Sequence, residues 1–175
     1  VPFVQDQSRF RSVHELVTDV KLHGYYGGIR LVKATIKRFV EYCDRLGIKL
    51  HDKTFSVRYE SNIPRQVGLA GSSAIIVATL RCLMEFYGVD VPLREQPSLA
   101  LGVETQELGI AAGLQDRVVQ VYEGLVSMNF ARDRMENLHG LTCGQYEPLP
   151  AERLPPLYVA YSVDVASPTE VLHND

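Results

Sequence analysis

Pro64-Arg65-Gln66-Val67-Gly68-Leu69-Ala70-Gly71-Ser72-Ser73-Ala74 runs straight into the apolar segment Ile75-Ile76-Val77-Ala78. A glycine-bearing loop that ends in two serines and opens an apolar segment is a loop-to-helix joint. Gly68 and Gly71 let the backbone turn tightly and lie close to a ligand. Ser72 and Ser73 stand at the start of a helix expected from about Ser73 to Tyr87, with Gly88 as its stop. The free N–H groups of a helix N-terminus carry about half a positive charge, so the joint suits phosphate. Glycine and serine alone are equally compatible with a plain turn and a serine N-cap. No lysine follows Gly71, which excludes a Walker-type loop, and no GxGxxG is present.

Working outward, Ile75, Ile76, Val77, Leu80, Leu83, Met84 and Phe86 cover most of the helix circumference, so this helix is expected to be buried, with Cys82 packed in the core. Upstream, Thr54 to Glu60 alternates, with Phe55, Val57 and Tyr59 on one side, and reads as a half-buried strand. Ile29 to Leu46 repeats its apolar residues at helical spacing and ends at Gly47, with Lys33, Lys37 and Arg38 facing elsewhere. Ser12 and Glu15 have capping-box spacing and open a short helix, Val13 to Leu22. The break Gly24-Tyr25-Tyr26-Gly27-Gly28 either lines a sugar pocket with its tyrosines or joins two helices. Downstream come a third helix, Ser98 to Leu108, a glycine-containing break at Gly109 to Gly113, and a short helix, Leu114 to Tyr122. A strand at Leu125 to Phe130, a polar irregular stretch at Ala131 to Pro156 and a last strand at Leu157 to Tyr161 complete the order. The order mixes α and β without regular βαβ alternation.

The 175 residues suit one domain, or one large and one partial domain, and 46% hydrophobic with 22% charged residues is a globular composition. The net charge of −3 argues against a nucleic-acid partner. No apolar run approaches a membrane span, so no membrane partner is expected. The three cysteines (Cys43, Cys82, Cys143) form no CxxC pair, which points to a reducing, cytoplasmic setting, and the five histidines show no metal-ligand spacing.

The pattern Pro64-x-x-x-Gly68-Leu69-x-x-Ser72-Ser73-Ala74 resembles the nucleotide loop of the GHMP kinases, which include galactokinase, homoserine kinase and mevalonate kinase. A second likeness lies downstream, where Glu104 precedes Gly113-Leu114-Gln115-Asp116 as a helical glutamate precedes a loop aspartate in that family. The runs Gly24-Tyr25-Tyr26-Gly27-Gly28, Asn62-Ile63-Pro64-Arg65-Gln66 and Gly113-Leu114-Gln115-Asp116-Arg117-Val118 resemble the plant-type glucuronokinase branch. The resemblance covers roughly Tyr25 to Tyr161. It implies an α+β fold like the GHMP kinase N-terminal domain (ribosomal protein S5 domain 2-like), with a mixed sheet backed by helices. It also implies that residues 1–175 form a partial N-terminal and central domain carrying the nucleotide loop, without the family's first and third motifs. Glu123 stands where the family usually has a glycine before Gly124.

What the resemblance implies for chemistry is phosphoryl transfer, which needs positioned phosphates, a cation and an aligned hydroxyl. Pro64, Gly68, Leu69, Ala70, Gly71, Ser72, Ser73 and Ala74 would hold the phosphates of ATP. Ser73, with Ser72 as the alternative, and Glu104 would hold Mg²⁺, a hard ion that takes one or two carboxylates plus phosphate oxygens. Taken alone, Glu104 reads as a solvated helical side chain. Asp116 would be the base for the sugar hydroxyl, although an aspartate there is also an ordinary helix cap. Arg117 either offsets that carboxylate, touches substrate, or is a surface arginine. The implied substrate is a small sugar, a uronic acid phosphorylated at its anomeric hydroxyl. Another sugar of the same family, or a non-catalytic nucleotide- or sugar-binding protein of this fold, is the alternative.

Overall fold

A computed structural model of the chain describes residues 8–64 and 67–161, without the side chain of Arg153. Arg65 and Gln66 of the quoted loop, and the stretch after Tyr161, lie outside the described residues. The elements are α1 (Val13–His23), α2 (Arg30–Arg45), α3 (Gly71–Tyr87), α4 (Gln96–Gly102), α5 (Leu114–Tyr122), β1 (Leu125–Asn129), β2 (Glu136–Leu138), β3 (Leu141–Cys143) and β4 (Gln145–Leu149). The fold is therefore α+β, and the described strands form two separate two-stranded antiparallel ladders, β1 with β4 and β2 with β3.

α1 begins where Ser12 accepts the Glu15 N–H at 3.1 Å, and the Glu15 carboxylate reaches back to the Arg11 N–H. That is the expected reciprocal cap, moved one residue upstream on its second arm. The apolar periodicities of α2 and α3 then fill one core. Ile36, Phe39, Val40 and Cys43 of α2 pack with Leu80 and Leu83 of α3, Val20 of α1 and Leu99 of α4. A second cluster of Ala34, Ile76, Val77, Ala100, Val103 and Val121 joins α2, α3, α4 and α5. Burial of α3 falls on one face only. Ala78, Arg81 and Cys82 are exposed, so Cys82 is a surface thiol and not the core residue the apolar helix suggested. Arg81 and Glu85 make that face polar, and the apolar residues around a helix outnumber the positions a single core can cover.

α2 departs from expectation on its basic residues. Lys33 is 1% exposed, with Nζ 4.1 Å from the centre of the Tyr26 ring and 3.3 Å from the Ser8 hydroxyl. Lys37 lies 2.7 Å from the Glu107 carboxylate, which also accepts the Tyr25 hydroxyl at 2.8 Å. The polar side of α2 is covered because the helix packs against α1, α3 and α4 at once, and its charges persist there through aromatic faces and a carboxylate. The same contacts make Tyr25 an interhelical joint.

The strands moved most. Thr54 to Glu60 has no ladder, and Val57 and Tyr59 are exposed. Only Phe55 turns inward, its ring 5.0 Å from that of Phe86. Alternation assigns faces, but a strand exists only where another backbone pairs with it, and none among the described residues does. Leu157 to Tyr161 is likewise exposed and pairs in no ladder among the described residues, so the expected last strand is not there. Conversely, the stretch expected to be irregular holds β2, β3 and β4. His139 and Gly140, both at positive φ (47° and 78°), close the β2–β3 hairpin in a two-residue turn. Pro148 sits in β4 opposite Val126, a place open to proline because β4 has only one ladder partner.

α5 ends at Glu123, whose φ of 61° and ψ of 169° fall in a region open essentially to glycine alone. The Glu123 carboxylate meets Arg81 at 2.7 Å on the surface, a pair of small worth. Glu123→Gly is therefore expected to stabilise the fold by about 1 kcal/mol, because relief of backbone strain exceeds loss of the exposed pair. Urea unfolding monitored by circular dichroism checks it, and a lower midpoint for the variant would contradict it.

Candidate active site

The loop before α3 turns through Gly68 at φ 74° and Ala70 at φ 52°, ψ 33°. A left-handed alanine is uncommon outside functional turns. The first residues of α3, Gly71 and Ser72, line an open cleft of about 2260 Å³. Among the described residues no side chain caps the start of α3, and free N–H groups at a helix start suit an anion. Among the described residues, a Cβ at Gly71 would meet only Ile63 Cγ2, at an ordinary 3.6 Å.

Pro64, Gly68, Leu69, Ala70, Gly71 and Ser72 line the cleft, and so do Glu104, Asp116 and Arg117. Ser73 is fully buried and is not among the residues that line the cleft, and its Oγ has no hydrogen-bond partner among the described residues. Ala74 is half-buried one residue further along α3. The serine hydroxyl is thus a buried donor and acceptor left without company, a costly arrangement unless something completes it.

Glu104 is carried by a turn of π-helix, Val103–Glu107, that continues α4. The expected third helix is therefore real, but it widens at its end. Such π-turns put an extra residue into a helix and concentrate at functional sites. Here the widening follows Val103, which is locked into the second core cluster, and leaves Glu104 2% exposed at the cleft wall.

Asp116 sits in the first turn of α5, with its side chain 46% exposed toward the cleft. Arg117 is buried. Its guanidinium makes an ion pair with Glu104, donates to the Gly113 carbonyl at 2.9 Å, and stands 3.5 Å from the Asp116 carboxylate. Desolvation lowers the Arg117 pKa to about 10, which leaves it charged at neutral pH. The surface reading of Arg117 is therefore incorrect. The sequence held a signal for this: Arg117, Val118 and Val121 share the inward side of α5 at helical spacing.

Among the described residues, no three His, Cys, Asp or Glu side chains cluster in a way that could hold a metal ion. A cation in this cleft would have to combine Glu104 with a hydroxyl and with oxygens of the ligand. That donor set is the one a hard divalent ion accepts; Ser72 lines the cleft with Glu104, while Ser73, the other serine of the pair, is buried next to it in the chain with its Oγ unpartnered among the described residues.

Residues 30–124, more than half of the chain, match the family described as GHMP kinases N terminal domain. The chain belongs to the GHMP kinase family. It is 46% identical over 164 residues to Glucuronokinase 1 of Arabidopsis thaliana, covering 92% of this chain and 44% of that protein. It is 47% identical over 164 residues to Probable glucuronokinase 2 of the same plant, covering 92% and 43%. A further relative is the D-glycero-alpha-D-manno-heptose 7-phosphate kinase of Campylobacter jejuni, 30% identical over 81 residues, or 46% of this chain and 24% of that kinase. The chain spans less than half the length of these curated relatives. No solved structure matches it. The matched region of this GHMP kinase chain contains the loop before α3, Glu104 and Asp116 together. No helix of the described residues is long and apolar enough to cross a membrane.

Proposed function

We propose that this chain carries the nucleotide and base half of a sugar-1-kinase, which transfers the γ-phosphate of ATP to the anomeric hydroxyl of glucuronic acid. The observation that supports it is the cleft shared by the uncapped N-terminus of α3, the buried Glu104 and the exposed Asp116. The printed names of the two similar Arabidopsis proteins, both glucuronokinases, support the substrate. A cytoplasmic setting accords with three free cysteines.

In this reading the loop from Gly68 to Ala74 binds the ATP phosphates through backbone N–H groups. Ser73 and Glu104 would hold Mg²⁺, which when bound offsets phosphate charge. The anomeric oxygen bonds to the γ-phosphorus as the bond to the bridging oxygen of ADP breaks. Asp116 orients the hydroxyl and takes its proton.

Gly71→Val places a branched side chain where phosphate would approach the backbone. The structure offers it space and no positive φ, so ATP affinity should fall by about tenfold or more while the fold persists. Calorimetric titration of ATP checks this; equal affinities would make the loop a plain turn. For the activity itself, ADP release by the intact protein should depend on glucuronic acid. Release with a neutral sugar instead would indicate a different sugar kinase of the family. ATP binding without release on any sugar would favour a non-catalytic binding protein.

A further inference from the structure

Among the described residues, Arg117 pairs with two of the carboxylates that line the cleft, Glu104 and Asp116. One terminal nitrogen pairs with Glu104, and the other is 2.9 Å from the Gly113 carbonyl and 3.5 Å from Asp116. Glu104 and Arg117 are both almost fully buried, with side chains 3% and 4% exposed. Among the described residues, the Arg117 Nε, the Glu104 Oε2 and the Ser73 Oγ have no hydrogen-bond partner, so the Arg117–Glu104 contact is an ion pair and not a formed hydrogen bond. A guanidinium has five N–H donors in a rigid fork. This one therefore has donors to spare and a second carboxylate beside it.

We propose that Arg117 is a positioning residue that occupies the Glu104 carboxylate in place of a divalent cation and yields it, toward Asp116, when the cation binds with nucleotide. The inference rests on the reading of Glu104 as a metal ligand. Two opposing charges in a water-excluded pocket compensate each other, and either one alone is costly. Without metal, Glu104 requires Arg117. With metal, the cation takes over that role, and Asp116 gives the displaced guanidinium a counter-charge within a side-chain rotation. Arg117 and the cation thus compete for one carboxylate. Such competition is a coupling free energy, and couplings of this kind are typically worth 5–150-fold in affinity. Arg117, already 3.5 Å from Asp116, would then have the base as its one remaining carboxylate partner in the loaded state, so the two halves of the site become organised together.

The test is thermal unfolding of the intact protein with saturating ADP over a Mg²⁺ series, for the parent, Arg117→Met, Arg117→Lys and Glu104→Gln. Arg117→Met should unfold at a lower temperature without Mg²⁺. Its gain on adding Mg²⁺ should exceed the parent's, and its half-saturating Mg²⁺ concentration should fall by about tenfold. Arg117→Lys keeps a charge and loses the fork. It should recover most of the metal-free stability, with a half-saturating Mg²⁺ concentration between those of the parent and Arg117→Met. A purely structural arginine would lower stability equally with and without Mg²⁺, and an unchanged or raised half-saturating concentration in Arg117→Met overturns the proposal. Should Arg117→Met fail to fold, the same reading of Arg117→Lys decides it. Failure of the underlying metal reading looks different: Glu104→Gln would then titrate like the parent.

Discussion

Asp116→Asn in the intact protein is expected to lower turnover by at least about a hundredfold while leaving ATP affinity close to that of the parent. The substitution keeps the size of the side chain and most of its hydrogen bonding, and removes the carboxylate. General base assistance is typically worth about 10² to 10⁴ in rate. The structure gives two reasons to expect a clean effect. The Asp116 side chain is half-exposed at the cleft, so its loss leaves no buried hole. Its partner Arg117 is anchored independently by Gly113 and Glu104, so α5 should keep its place. Initial rates of ADP release with glucuronic acid, beside calorimetry with ATP, read the two quantities separately. Near-parental turnover would make Asp116 a helix-terminal residue and remove it from the chemistry.

Glu104→Gln should act on two properties at once. Glu104 is buried against Arg117, and removing one partner of such a pair typically costs about 3–5 kcal/mol because the other charge is left uncompensated. The variant should therefore melt well below the parent. It should also need more Mg²⁺ to reach half its own maximal rate, and that rate should be lower, since a metal ligand is lost. Asp116→Asn should shift neither the melting temperature nor the Mg²⁺ requirement to a comparable degree. The contrast separates a base from a ligand. A Glu104→Gln variant that is destabilised but has a parental Mg²⁺ requirement would make the Glu104–Arg117 pair structural only.

Much of this arrangement could be read in the residues, for reasons that differ from part to part. α2 and α3 were legible because their apolar residues recur at helical spacing over four turns or more and end at Gly47 and Gly88. The joint at Gly68 to Ser73 was legible because a glycine turn, paired serines and an apolar helix each demand the next. Thr54 to Glu60 shows the limit of alternation, since the pattern carries no information about whether a neighbouring backbone is there to pair with. β2, β3 and β4 were hidden by short length, by Pro148, and by a turn built on His139 instead of the more usual asparagine or aspartate. The burial of Lys33, Lys37 and Arg117 was hidden for another reason. A charged side chain reads as solvated until its partner is known, and the partners here (Tyr26, Glu107 and Glu104) come from distant points in the chain or from a glycine break. Glu104 itself required both the family spacing and the π-turn that sets it at the cleft wall.

The most direct test of the central claim is phosphorus and proton NMR of the product formed by the intact protein from ATP, Mg²⁺ and glucuronic acid. The account predicts one new sugar phosphate, with the phosphorus coupled to the anomeric proton, which is absent when Asp116→Asn replaces the parent at the same protein concentration and time. Phosphate on any other carbon, or no sugar phosphate from a protein that still binds ATP, would contradict it.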